Sequence, residues 1–280
     1  MTLSDSATVF AFSGKIPVFV SIAPQAFLVK QIGGEHVDVR TLIGPGQEPH
    51  VFAPTPRQVV SLGEVRIFFK IGMSFEEALL SKIASGHAAL QIVDMTEGVV
   101  GRMMTGDQHH DHGENMNSRD PHVWLGVPQL RQMAATIKRV LATADPENIS
   151  YYNQRLQVFL GALQSVHQQA AKKLAPFKGE KLYVFHPSFG YFADTYGLVQ
   201  EPVEVEGKSP SPRQLAALIG QARKEGVRVI FVQPQFDPKS AVTVARAIGG
   251  AVVSMDPLAE DILKNLEEMA DKTADGLAKK

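Results

Sequence analysis

The chain has 280 residues, with 28 Lys and Arg against 29 Asp and Glu, so it shows neither the basic surplus of a nucleic-acid binder nor an acidic disordered tail. It contains no cysteine, which excludes disulfides, thiolate metal sites and a cysteine nucleophile, and leaves His, Asp and Glu to build any transition-metal site. A composition of 44% hydrophobic and 20% charged residues is that of an ordinary globular protein with one large or two mid-sized domains.

Met1 to Ser6 has no basic start leading into an unbroken apolar run, so the sequence reads as cytosolic or as a chain whose leader has been removed. The apolar patch Val9 to Ile22 is interrupted by Ser13, Gly14, Lys15 and Pro17 and is too broken to span a membrane. Ile16 to Ile22 then reads as a buried strand. Pro24 starts a helix that Gly33-Gly34 stops, and Val37 to Leu42 alternates as a second strand. The segment Ile43 to Pro56, with four prolines and two glycines, is a loop of fixed path. Thr55 caps the next helix with Pro56 at its first position, which holds His50 beside a helix start.

Val65 to Phe69 is a strand, Phe75 to Ala84 a helix capped by Ser74, and Leu90 to Val93 a strand. This rhythm predicts a parallel sheet flanked by helices. Val127 to Ala142 is helical. Asp145-Pro146-Glu147 opens a further helix whose apolar face runs to Pro176, about 45 Å at 1.5 Å per residue. A helix of that length midway along an α/β chain predicts a strut between two lobes. The alternation then resumes with strand Lys181 to Phe185, helix Phe189 to Tyr196, the acidic extended segment Gln200 to Glu206, helix Pro212 to Glu225, strand Val229 to Val232, helix Lys239 to Ile248, strand Ala251 to Ser254 and a last helix from about Ala259. The expected organisation is an α/β fold with an N-terminal lobe over 15–145, a linking helix over 146–176 and a C-terminal lobe over 177–280.

Four of the nine histidines, His109, His110, His112 and His122, fall within fourteen residues. Neutral imidazole is the commonest protein ligand for zinc, copper and nickel. The tract Gly106 to Ser118 reads equally well as a solvated connector, but His122 lies between Asp120-Pro121 and the chain's one tryptophan, Trp124. In open α/β sheets ligands gather at the carboxyl ends of strands, and His50, His122, His186 and Asp256 all follow predicted strands, two from each lobe. Any one of them alone reads as a loop or capping residue. Together they predict a tetrahedral site between the lobes, with His109, His110 and His112 as auxiliaries and Glu48 as a weaker fourth ligand. No zincin helix, nucleophile elbow, phosphate loop or dinucleotide turn is present, and four protein ligands leave no open position for catalysis.

The motifs Pro-Val-Phe-Val-Ser-Ile-x-Pro, Gly-x-x-Pro-His-x-Phe-x-Pro-Thr-Pro, Asp-Pro-His-Val-Trp-Leu, Phe-His-Pro-Ser-Phe-Gly-Tyr-Phe and Met-Asp-Pro-Leu occur in an order that resembles the zinc and manganese receptors of ABC importers, the cluster A-I solute-binding proteins. The resemblance implies two lobes on a rigid helix, a location outside the cytoplasm after loss of a leader and a membrane permease as partner; the expected protein is a monomer, and its charge balance points to no nucleic-acid partner. It places the ligands on His50, His122, His186 and Asp256. A histidine in the third position is similar to the zinc receptors, where manganese receptors have glutamate, and Gln233 stands where the resemblance leads one to look for an acid. Three nitrogens and one oxygen suit Zn2+ over Mn2+. Alternatives are a manganese or iron receptor of the same fold, a zinc-dependent hydrolase on a two-lobed scaffold, or an adhesin with an incidental metal. Ordinary histidines, with a pKa near 6.5, predict that zinc affinity falls at least tenfold from about pH 7.5 to 5.5.

Overall fold

The computed structural model describes residues 14–83, 90–104, 119–204 and 211–279. His87 and the tract histidines His109, His110 and His112 lie outside them. The first half runs β1 (Ile16–Val20), α1 (Ala23–Gly33), β2 (Val37–Thr41), α2 (Pro56–Ser61), β3 (Ile67–Lys70), α3 (Ser74–Ile83) and β4 (Gln91–Asp94). Its strands form a parallel sheet in the order β2-β1-β3-β4. After α4 (Val127–Ala144) and the long α5 (Ile149–Leu174), the second half runs β5 (Lys181–Val184), α6 (Gly190–Tyr196), β6 (Val199–Pro202), α7 (Pro212–Lys224), β7 (Val229–Val232), α8 (Lys239–Ala247), β8 (Ala251–Ser254) and α9 (Ile262–Leu277). Its sheet repeats the same order as β6-β5-β7-β8, again parallel. Each sheet therefore reverses its winding beside its first strand, which opens a crevice at the carboxyl ends.

The second sheet shows directly why its strands form. Leu182 and Val184 of β5, with Val229 and Phe231 of β7, enter the main core, while Tyr183, Ile230 and Val232 enter a smaller core on the opposite face. Side chains alternate across a strand, so a strand buried on both sides must be apolar throughout. The main core is continuous from β1 to α9. It passes through α5, whose buried stripe Tyr152, Leu156, Phe159, Leu163, Val166, Ala170 and Leu174 recurs every three or four residues, as a helix packed along one face requires. That stripe packs on α1 and α4 of the first half and on α6 and α9 of the second. Burying Phe159 and Leu163 alone contributes several kcal/mol, at about 1.5–3 kcal/mol for each fully buried side chain.

Local chemistry sets the element ends. Gly34 adopts φ 54° after α1 and lies against the Tyr151 hydroxyl of α5, where a Cβ has no room. Asp145, expected as a cap, instead accepts the Tyr152 hydroxyl at 2.6 Å and the Asn148 amide at 2.9 Å, and a 3₁₀ turn at Pro146–Asn148 leads into α5. The last helix begins later than expected because Asp261 accepts the Lys264 N–H and caps it there. No helix among the described residues is long and apolar enough to cross a membrane.

Candidate metal centre

His50 stands on a 3₁₀ turn, Pro49–Val51, in the loop between β2 and α2. Thr55 closes that loop by accepting the Gln58 N–H, while Gln58 accepts the Thr55 N–H at 2.9 Å and donates to the Leu42 carbonyl at 2.7 Å. This reciprocal cap ties the start of α2 to the end of β2 and fixes the path on which His50 lies. His122 precedes the buried turn Val123–Leu125, whose Trp124 donates its indole N–H to the Pro257 carbonyl at 2.6 Å, from one half of the molecule to the other. His186 lies just beyond β5. Gln233 Oε1 accepts its backbone N–H, and the amide nitrogen of Gln233 donates to the His186 carbonyl and, at 2.9 Å, to Ser188 Oγ.

These three histidines converge. Their ligand-capable nitrogens lie within 4.8 Å of one another, with ring centres 5.6 Å apart for His50 and His122, 4.8 Å for His50 and His186, and 5.3 Å for His122 and His186. Around them Pro49, Met73, Trp124, Phe236, Pro257 and Leu258 form an apolar wall that leaves about 10 Å³, room for one water or small ion. The Phe236 ring stacks on His186 at 4.8 Å.

Two carboxylates aim the rings. Asp120 Oδ1 lies 2.7 Å from His122 Nδ1, and Glu204 Oε1 lies 2.6 Å from His186 Nδ1. All four residues are buried, the histidines to 3% and 5% exposure. Each Nδ1 therefore carries the proton, and each Nε2 turns its lone pair to the cluster, the carboxylate–histidine arrangement of metal sites. His186 Nε2 is buried without a hydrogen-bond partner among the described residues, a costly state for a nitrogen lone pair unless a ligand meets it.

The electrostatics agree. Desolvation, joined by His122 and His186, pushes the His50 pKa down to about 3. Burial lowers that of His122 against the opposing pull of Asp120. Burial raises the Asp120 carboxyl, but bonds from His122 and Arg102 outweigh it and leave the pKa low. Burial also raises Glu48, although Glu48 stands outside the pocket wall.

Asp256 is not brought into the group. Its Oδ1 accepts the Gln235 amide at 2.8 Å and the Leu258 N–H at 2.9 Å, and it lines a neighbouring crevice with Ile43, Gly46 and Glu260. Gln235 borders both spaces. Sequence reasoning passed over Asp120 and Glu204 as partners of the histidines. Asp120 was legible as the acid two residues before His122, and Glu204 as the acid that follows β6, the strand beside β5. It also passed over Glu76, which is buried and accepts the N–H groups of Ile71, Gly72 and Met73. That carboxylate shapes the β3–α3 turn that presents Met73 to the pocket.

The family model of the periplasmic zinc-uptake complex component A, ZnuA, matches residues 18–279. The chain is 27% identical over 272 residues to the high-affinity zinc uptake system protein ZnuA of Bacillus subtilis, covering 93% of this chain and 82% of that one. It is 26% identical over 288 residues to the manganese ABC transporter substrate-binding lipoprotein PsaA of Streptococcus mitis, covering 95% and 90%. A crystal structure of ZnuA matches with a TM-score of 0.86 at 36% identity over 94% of this chain and 99% of that one. The laminin-binding protein Lmb of Streptococcus agalactiae shares the fold, with a TM-score of 0.82 at 21% identity, covering 94% and 99%. The chain belongs to the ZnuA family of metal-binding substrate-binding proteins of ABC transporters, which carry their ligand and are not enzymes.

Proposed function

We propose that this protein captures Zn2+ outside the cytoplasm and delivers it to the membrane permease of an ABC importer, with the ion held by His50, His122 and His186. The observation that supports this most is the buried, unpartnered Nε2 of His186, facing two further imidazoles within 4.8 Å. Three neutral nitrogen donors match the borderline softness of zinc and its tetrahedral preference, and the Irving–Williams order puts manganese well behind at such a site. Asp256 serves as the fourth ligand in the loaded form, which requires it to leave Gln235. The tract histidines His109, His110 and His112 act as auxiliary, weaker binders.

The relatives include both a zinc and a manganese protein at nearly equal identity, so the donor set and not the likeness favours zinc. Protein purified without added metal and titrated against a chelating dye, with zinc and manganese in competition, tests the reading. One zinc per chain, undisplaced by excess manganese, is expected. A clear preference for manganese would overturn the choice of ion.

A further inference from the structure

Arg102 belongs to the first half, and its largely buried guanidinium reaches in two directions. Nη1 donates to Asp120 Oδ2 at 2.9 Å, and Nε donates to Asp194 Oδ2 at 2.9 Å. Asp120 is fully buried, and its other oxygen holds the His122 ring. Asp194 lies on α6, in the second half. One cation thus links the carboxylate behind a histidine of the cluster to the opposite half of the molecule.

The rest of the contact is built around that head group. The Arg102 backbone N–H donates to the Tyr191 hydroxyl at 3.1 Å, and this hydroxyl donates to the Asp120 carbonyl at 3.0 Å. The guanidinium carbon lies 5.9 Å from the centre of the Tyr191 ring, within cation–π range. Gly190 completes the seat. A Cβ there would run into Arg102 Nη1 and Cζ and come within 2.9 Å of Asp120 Oδ2, so its bare backbone is what admits the arginine. Removing the guanidinium would leave a fully buried carboxylate facing a neutral imidazole, with no hydrogen-bonded cation among the described residues, an expensive state that a local rearrangement would relieve.

We propose that Arg102 is a positioning residue for metal retention. It grips Asp120 with one arm and α6 with the other, so His122 stays aimed at the ion only while the two halves meet at α6, and parting them there frees the ion. The inference rests on His122 being a ligand, as proposed above.

The test is zinc release from the loaded full-length chain into excess chelating dye, followed by stopped flow, with zinc uptake and thermal melting of each variant recorded alongside. Arg102→Ala should release zinc about tenfold faster or more, as loss of an outer partner of a metal ligand does. Gly190→Ala should speed release similarly with both charged side chains intact, because its methyl group takes the place of the guanidinium. Combined with Arg102→Ala it should add nothing further. Arg102→Lys should restore only part of the retention, since an ammonium cannot span both carboxylates in the fork geometry. Asp194→Ala, at an exposed position, removes the α6 arm alone and should speed release by a smaller factor, which decides the matter even if the more buried variants fail to fold. Wild-type release rates in Gly190→Ala and Asp194→Ala would overturn the proposal, as would a lowered melting temperature with unchanged release. A folded wild type that takes up no zinc would overturn the metal site itself.

Discussion

His122 and His186 are buried, and each has its Nδ1 against a carboxylate. His50 leaves part of its surface to solvent while its ring faces the other two imidazoles, stands on a proline-rich turn and has no hydrogen-bond partner for its ring among the described residues. The first two cannot turn without breaking a buried charge-assisted bond, whereas His50 is held only by the path of its loop. Such a difference divides the site into a fixed pair and an adjustable third arm. With the ion held as proposed, His50 is the least constrained arm and the one that can give way first.

The largest expected effect breaks the fixed pair. His122→Ala and His186→Ala should each weaken zinc binding more than about a hundredfold, above the range seen for outer partners, and His50→Ala should weaken it less than either. Competition with a chelating dye measures all three. Equal losses would show that the three arms are equivalent and remove the distinction. Next come the carboxylates. Asp120→Asn and Glu204→Gln should cost about ten- to a hundredfold in affinity, because an amide can hold the ring but no longer raises the basicity of the facing nitrogen. Wild-type affinity in both would mean that the pairing orients nothing.

A smaller change sharpens the choice of ion. His186→Glu replaces a borderline nitrogen by a hard oxygen, and the zinc-to-manganese affinity ratio should fall by about tenfold. The new acid would face Glu204 across a distance now spanned by a 2.6 Å hydrogen bond, and two like charges there repel. The shift should therefore be fuller in combination with Glu204→Gln. An unchanged ratio in both variants would remove His186 from the ligand set.

The comparison also shows how far the sequence could be read. Apolar alternation and helical spacing located the strands and the strut because both are set by residues close along the chain, and β7 and β8 fall at Val229–Val232 and Ala251–Ser254 as expected. The rule that ligands gather at strand ends picked out His50, His122 and His186, which the structure brings together, since it depends only on strand direction. It could not show which side-chain oxygens point inward. Asp256 follows β8 as surely as His186 follows β5, yet its carboxylate bends back to the Leu258 N–H, a local bond that Asp-Pro-Leu offers regardless of the metal. Glu204 is eighteen residues from His186 in sequence, and only the pairing of β5 with β6 brings the two together. Gln233, where an acid was sought, binds the backbone on both sides of His186, a task that needs a donor as well as an acceptor and so suits an amide better than a carboxylate.

The smallest expected effect concerns protons, and here burial works against the sequence expectation. Histidines at their ordinary pKa of about 6.5 would have to shed protons before binding zinc below neutrality. Desolvation pushes His50 down to about 3 and lowers His122 as well, so His50 is already neutral at pH 5.5. Zinc affinity should then fall less steeply from about pH 7.5 to 5.5 than three ordinary histidines would require, with fewer than about two protons released per zinc at pH 6. The cost appears instead in the metal-free fold. Between about pH 6.5 and 3 the unfolded chain takes up a proton on His50 that the folded chain refuses. The unfolded state therefore binds more protons, and stability rises with pH across that window and is lost as pH falls. Melting of the metal-free protein should drop steadily from pH 6.5 downward, while calorimetry in buffers of differing ionisation enthalpy counts the protons released on binding. Two or more protons per zinc at pH 6 would mean that His50 takes up a proton in the ordinary histidine range, and the contrast between the adjustable arm and the fixed pair would then have to be drawn from geometry alone.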